Sequence, residues 1–321
     1  METNNLIPVL VREIAPQTPT INTYELVRED GADLPEICAG SHIDVHLPNG
    51  MVRSYSICSS HDERSHYVIA VRKDISSAGG SKYLHDCIRP GDRLSISEPR
   101  NNFPLEEAAA QSLLIAGGIG ITPILSMIRR LTDIKRPWEM YYCSRSRDDV
   151  AFLPECEALA KAAGANFHLH IDDEQSGSYL DMASVIAKIK PHTHVYCCGP
   201  LPMLESFERA ASSLPQHTVH REYFSAKEEA SLEGGYTVTL AKSEKVLYVP
   251  EGKSILKTLL EAGIHVPHAC QEGTCGSCET GVVSGIPDHR DSVLSAEEQA
   301  SNETMMVCCS GCKGEELVLD L

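Results

Sequence analysis

Cys270-Gln271-Glu272-Gly273-Thr274-Cys275-Gly276-Ser277-Cys278, followed at a distance by Cys308, is the stretch that decides how the chain is read. The spacing is C-x4-C-x2-C…C, the pattern by which four thiolates hold a plant-type [2Fe–2S] cluster. Ferric iron wants anionic, polarizable ligands, and thiolates supply them. Gly273 and Gly276 let the backbone turn where a Cβ would crowd the cluster. A zinc site would more often show two separated C-x2-C pairs, and the x4 spacing departs from that. A disulfide framework suits small secreted chains. Cys270, Cys275 and Cys278 are therefore the expected iron ligands, with the fourth among Cys308, Cys309 and Cys312.

Working outward, 321 residues allow two or three domains, and 42% hydrophobic residues suffice for real cores. A net charge of −17 argues against a nucleic-acid partner, whose phosphates would repel the surface. It suits docking onto a basic patch of another protein. Thirteen cysteines fit a reducing cytosol, since several lie in apolar strand-like runs where Cys acts as a small hydrophobe. Met1–Asn5 has neither a basic nor an apolar leader region, so no signal peptide is expected. The run Leu113–Leu125 is too short to span a bilayer, so no membrane partner is expected.

Residues 1–105 read as six short strands: Leu6–Ile14, Thr20–Val27, His42–Leu47, Val52–Cys58, His66–Arg72 and Arg93–Ser97. Turn signals separate them, which suggests a small antiparallel barrel. On its fourth strand Arg53-Ser54-Tyr55-Ser56 alternates faces, offering a guanidinium for a phosphate, a ring for an isoalloxazine and hydroxyls for its rim. Ala78-Gly79-Gly80-Ser81 precedes a helix over Lys82–Cys87 and offers bare N–H groups to an anion. Ordinary edge-strand alternation and a glycine-rich turn are the structural alternatives.

Residues 106–226 alternate strands with helices, which predicts an α/β parallel sheet. Gly117-Gly118-Ile119-Gly120-Ile121-Thr122-Pro123 joins a buried strand to a helix, a place for a pyrophosphate. Pro123 at the first helical turn leaves no N–H unpaired. The sheet's carboxyl edge should carry Gly117–Thr122, Ser144–Arg147, Cys198-Gly199-Pro200 and Glu222-Tyr223-Phe224. Arg145 and Arg147 are also able to pair a 2′-phosphate. Asp172-Asp173 reads as a solvated strand end, and the fourteen histidines lack ligand spacing. Residues 227–235 form a charged, glycine-ending linker. Residues 236–321 then show a hairpin, a helix capped by Ser254, the cluster loop, a helix with a Ser295…Glu298 capping box, and closing strands at Met305–Cys309 and Glu316–Leu321. That is a β-grasp, α+β pattern.

The cluster loop, Asp288-His289-Arg290-Asp291, the terminal Leu317–Leu321 and the two upstream modules together resemble the phthalate-dioxygenase type of reductase component. It is a branch of the ferredoxin-reductase superfamily with a C-terminal ferredoxin domain. The resemblance extends over nearly the whole chain. It implies FMN held by Arg53, Ser54, Tyr55 and Ser56, edged by Ala70 and Arg72, with Gly79, Gly80 and Ser81 at its phosphate. It implies NADH at Gly118, Gly120 and Thr122, its adenosine ribose at Ser144 and Arg145, its nicotinamide near Cys198, Gly199 and Pro200. Phe224 matches the aromatic that lies on the flavin ring, and Ser56 lies near that ring as well. No residue is expected to act as a protein acid or base. The resemblance puts the fourth iron ligand at Cys308, because Met306-Val307 precedes it and Ser310 follows. Cys309 is expected on the opposite face of a strand, and Cys312 has no counterpart.

The expected function follows from that order: an NADH-dependent flavoprotein reductase passes electrons through FMN and the [2Fe–2S] cluster to a Rieske-type non-haem iron oxygenase in aromatic-compound catabolism. A cytoplasmic monomer is expected. The alternative is a stand-alone oxidoreductase that reduces another soluble acceptor, and a more distant one is a redox-sensing binding protein.

Overall fold

The structure is a computed structural model and describes residues 6–74 and 79–321; Ala78 of the glycine run lies outside the described residues. The chain divides into two compact units, Met1–Glu222 and Tyr223–Leu321. Among the described residues no helix is long and apolar enough to cross a membrane.

The first unit begins with β1 (Ile7–Pro16), β2 (Ile21–Arg28), β3 (His42–His46), β4 (Val52–Ser56), β5 (Tyr67–Arg72), α1 (Gly80–Cys87) and β6 (Arg93–Ile96). Its strands form an antiparallel sheet in the order β4-β3-β6-β1-β2-β5. The outer strands meet: Ile57 bridges Ile69, and Cys58 N–H donates to Val68 O at 2.8 Å. The sheet thus closes into the expected barrel and leaves no open edge there. Val9, Val11, Ile43, Val45, Ile57 and Ile69 alternate inward and are almost fully buried. Each contributes roughly 1.5–3 kcal/mol of apolar burial. α1 starts at Gly80, two residues earlier than the sequence suggests, because Gly79 takes φ 99° and turns the chain into it.

The same unit continues with β7 (Gln111–Gly117), α2 (Ile121–Asp133), β8 (Trp138–Ser144), α3 (Leu153–Ala163), β9 (Asn166–Ile171), α4 (Met182–Ile186), β10 (Thr193–Cys198), α5 (Leu201–Ala211) and β11 (Val219–Glu222). All five strands are parallel, in the order β11-β10-β7-β8-β9. β7 is central and buried from Ser112 to Gly117, as a strand covered on both faces must be. From β7 the next strand goes to one side and β10 lies on the other, which makes the β7–β10 crevice the switch point of the sheet. The barrel and α2 share one core, and Ser126 Oγ accepts the N–H of Gly40 at 3.0 Å. β11 stops at Glu222, short of the strand to Phe224 that the sequence suggests.

The second unit holds β12 (Tyr236–Leu240), β13 (Val246–Val249), α6 (Ile255–Glu261), β14 (Glu279–Ser284), β15 (Pro287–Asp288), α7 (Ala296–Ser301), β16 (Thr304–Met306), β17 (Gly311–Cys312) and β18 (Glu316–Leu319). The sheet order is β13-β12-β18-β14-β16, with β12 and β18 parallel and α6 against its core. This is the expected β-grasp arrangement. Ser254 caps α6, and Ser295 with Glu298 forms the full capping box of α7. One expectation fails: β16 ends at Met306, and residues 307–309 form a turn. Cys309 therefore does not alternate to the far face of a strand. It is buried, yet its sulfur lies toward the cluster loop, since a Cβ on Gly273 would come 2.4 Å from it.

Candidate functional site

The barrel contributes β4. Arg53 folds over the start of α1, so a Cβ on Gly80 would lie 2.6 Å from Arg53 Cγ and 2.9 Å from its Nε. The two segments expected to share a phosphate are thus adjacent: a guanidinium and the N-terminus of an eight-residue helix. Ser81 Oγ accepts the N–H of Asp74 at 3.2 Å. Ser54 turns inward instead, donating to Asp44 Oδ1 at 2.5 Å, and Asp44 also takes Arg100 Nη2 at 2.7 Å. The Ser54 hydroxyl proton is therefore committed to Asp44, which leaves its oxygen and its backbone to meet a ligand. Burial pushes the Tyr55 phenol above its ordinary range, so the ring is neutral. Ala70 is buried on β5 and Arg72 is exposed at its end.

The parallel sheet contributes the crevice at its switch point. A Cβ on Gly120 would meet Cys198 O at 2.2 Å, and Gly199 lies against Gly117, its Cβ position 3.2 Å from Gly117 Cα. Both turns must be glycine for the two strand ends to approach this closely. Tyr142 OH donates to Gly118 O at 3.3 Å, and Thr122 Oγ1 donates to Ile119 O at 3.1 Å, which holds the turn. Ser144 is buried, its hydroxyl donating to Ser146 O at 3.0 Å, while Arg145 is exposed at the same edge. Arg147 is already engaged by Glu174 at 2.7 Å. Asp172 lies in a short 3-10 turn, 3.4 Å from His170, as a strand end would.

Sequence reasoning did not single out Glu222 by itself. It ends β11 at the carboxyl edge, with Cys198 Sγ 4.0 Å from its Oε2. The residue is half-buried but its carboxyl group is enclosed. Burial raises its pKa to about 8, and the Ser56 hydroxyl nearby pulls slightly the other way. Ser56 Oγ is buried and forms no well-aligned hydrogen bond. Cys198 is pushed well above the thiol range by burial and then by Glu222 beside it. Ser56, Cys198 and Glu222 thus lie together beside the strand ends, where burial favours the neutral forms of Cys198 and Glu222. Their only signal in the sequence is position at a strand's carboxyl end.

In the second unit Cys270 to Cys278 form one loop. Gly273 and Gly276 take φ 70° and 76°, in the left-handed region that favours glycine. The N–H groups of Glu272 and Thr274 point at Cys270 Sγ, at 3.3 and 3.5 Å. Cys275 Sγ lies 3.2 Å from Ser277 Oγ. The Cys275 thiol is pushed up first by the sulfur of Cys270 and then by burial. Two thiolates this close repel each other, and a cation bound by both would relieve that repulsion. Cys275, Cys278 and Cys308 are buried and Cys270 half-buried, so the donor set fits a [2Fe–2S] cluster. Cys312 sits on β17, half-buried. Phe224 is the second residue of the second unit and is 40% exposed.

Two family models match the chain: an oxidoreductase NAD-binding domain over residues 114–209 and a 2Fe-2S iron-sulfur cluster binding domain over 238–313. The tetrachlorobenzoquinone reductase of Sphingobium chlorophenolicum is 48% identical over 317 residues, covering 98% of each chain. The vanillate O-demethylase oxidoreductase of a Pseudomonas strain is 41% identical, covering 98% of this chain and all of its own. The solved structure of phthalate dioxygenase reductase, described as modular for electron transfer from pyridine nucleotides to [2Fe–2S], matches with a TM-score of 0.74. It is 38% identical and covers 99% of this chain and 98% of that one. Matches of this identity over the full length, on a chain whose first unit holds a nucleotide crevice and whose second holds the cysteine loop, place it in the phthalate dioxygenase reductase family of iron–sulfur oxidoreductases, the reductase components of oxygenase systems.

Proposed function

We propose that this chain is an NADH-dependent reductase with FMN and a [2Fe–2S] cluster, and that it delivers electrons to a Rieske-type non-haem iron oxygenase acting on an aromatic acid or a similar small molecule. The observation that carries the reading is the pairing of the Gly120–Cys198 crevice with the four-cysteine loop in one chain. Bound flavin supplies the change from two-electron to one-electron transfer that separates a nicotinamide from an iron–sulfur cluster. The residues do the rest. Gly118, Gly120 and Thr122 offer backbone N–H groups to the pyrophosphate, and Arg145 and Ser144 meet the adenosine ribose. At the same edge Arg147 pairs with Glu174. Arg53, Gly79, Gly80 and Ser81 hold the flavin phosphate. Beside Ser56, burial favours a neutral Cys198 and a proton held on the Glu222 carboxyl group.

In this reading the working modules are residues 1–105, 106–226 and 236–321, with 227–235 as linker, and the protein is a cytoplasmic monomer. Anaerobic titration of the purified protein with NADH should bleach flavin and cluster absorbance together. Flavin bleaching with the cluster left oxidised would sink the proposed route. A second reading, direct reduction of a quinone, is favoured by the relative named tetrachlorobenzoquinone reductase. Comparing quinone and oxygenase as acceptors, at equal NADH, separates the two.

A further inference from the structure

Gly273 lies between the first two cysteines of the loop, is buried, and is crowded on its Cβ side. A Cβ there would come 2.4 Å from Cys309 Sγ, 3.1 Å from Asp291 Cα and 3.2 Å from Asp291 Cβ. The Gly273 carbonyl accepts the N–H of Ser292 at 3.0 Å and its hydroxyl at 3.4 Å. Asp291 is itself fixed. Its Oδ2 accepts the N–H groups of Val293 and Leu294 at 3.1 and 2.8 Å, and Gln299 Nε2 donates to its carbonyl at 3.4 Å. Cys309 lies in the 307–309 turn and is 1% exposed. Its sulfur is 3.7 Å from Met306 O and 3.9 Å from Ser310 Oγ, with the Cys308 thiol beside it.

We propose that Cys309 and the Asp291-Ser292 pair are positioning residues that together close off the Cβ side of Gly273 and so fix the arc of backbone between Cys270 and Cys275. The proposal rests on the reading that Cys270, Cys275, Cys278 and Cys308 hold the cluster. Its physical content is leverage. Rotation at Gly273 would swing the N–H groups of its neighbours Glu272 and Thr274, which point at Cys270 Sγ. Hydrogen bonds to ligand sulfur are one of the terms that set a cluster's potential. A thiol that is not a ligand therefore helps to set the cluster's electronic environment.

The test reconstitutes the full chain and its variants with ferrous iron and sulfide. It measures iron and labile sulfide per chain and the electron paramagnetic resonance of the reduced cluster. Gly273→Ala should hold at most half the wild-type iron. Adding Cys309→Ala to it should recover a substantial part of that loss, because the closest contact is gone. Gly273→Ala with wild-type iron and g-values overturns the proposal, and so does a double variant no better than the single. Should Gly273→Ala fail to fold, Cys309→Ser decides. Its shorter C–O bond draws back from the glycine, so the midpoint potential and g-values should shift at unchanged iron content. An unshifted spectrum overturns the proposal. A wild-type chain that takes up no cluster, or Cys308→Ser that keeps a full one, defeats the ligand reading beneath it instead.

Discussion

The nucleotide crevice and the cluster loop are both glycine-built, but the glycines do different work. In the crevice Gly120 has an ordinary helical conformation, φ −61°, and is required because another backbone lies against it. In the loop Gly276 is in the left-handed region, φ 76°, a conformation other residues seldom adopt. The crevice is held by strand ends locked in a parallel sheet, so it stands ready before any ligand arrives. The loop has no regular secondary structure between residues 269 and 278, and its turns rest on glycines with positive φ. One site is made by the fold, and the other is completed by its metal.

The largest effect should come from crowding the first site. Gly120→Ala puts a methyl group into Cys198 O and should destabilise the first unit by about 3 kcal/mol. NADH-driven dye reduction should fall by about two orders of magnitude, since small misplacements at a reacting centre cost that much. Near-normal activity would mean that the crevice is not preformed. Next comes Cys275→Ser, which should abolish cluster absorbance while NADH-to-dye activity stays within a factor of two. Joint loss of both would erase the contrast between a fold-made and a metal-made site.

A smaller effect sharpens the electrostatics of the crevice. The folded pKa of Glu222 is about 8, above its ordinary value, so the neutral carboxyl group favours the folded state. Its contribution is fully present below about pH 4.5 and is lost as pH rises through 8, on the order of 2–4 kcal/mol in all. Melting temperatures of the flavin-free protein should therefore fall between pH 6 and 9 in the wild type and much less in Glu222→Gln. Parallel curves would show that the carboxylate is solvated. The smallest effect concerns α7, beside the loop. Ser295→Ala removes the capping-box acceptor and should cost about 1 kcal/mol in the second unit alone, read from urea titration with and without cluster.

Much of this was legible in the residues themselves. The barrel, the parallel sheet and the capped helices follow from alternation, buried runs and cap signals, each of which acts locally. The cysteine spacing announced the cluster for the same reason. What was hidden depends on residues far apart in the chain. Glu222 becomes notable only when Ser56 and Cys198 come to it across the barrel and the sheet. The hold of Asp44, on β3, over the Ser54 hydroxyl proton is likewise visible only in the fold. The strand assigned through Cys309 fails because Met305 to Cys309 is apolar throughout, and an apolar run does not distinguish a strand from a buried turn. β14 carries only a short strand signal, Thr280, Val282 and Val283 interrupted by Gly281, and it is fixed by its pairing with β16 and β18.

The closure of the barrel at Ile57 has a consequence for exchange with solvent. Ile57 donates its N–H to Ser41 O and Cys58 donates its own to Val68 O, both at 2.8 Å, so successive amides are tied to neighbours on opposite sides. The chain that leaves β4 is therefore stitched at the point where the flavin strand ends. Such amides open only with the whole sheet, and they should be among the last to take up deuterium in protein stripped of flavin. An empty barrel that keeps its shape in this way should rebind its cofactor in a single fast phase, with no refolding step to wait for.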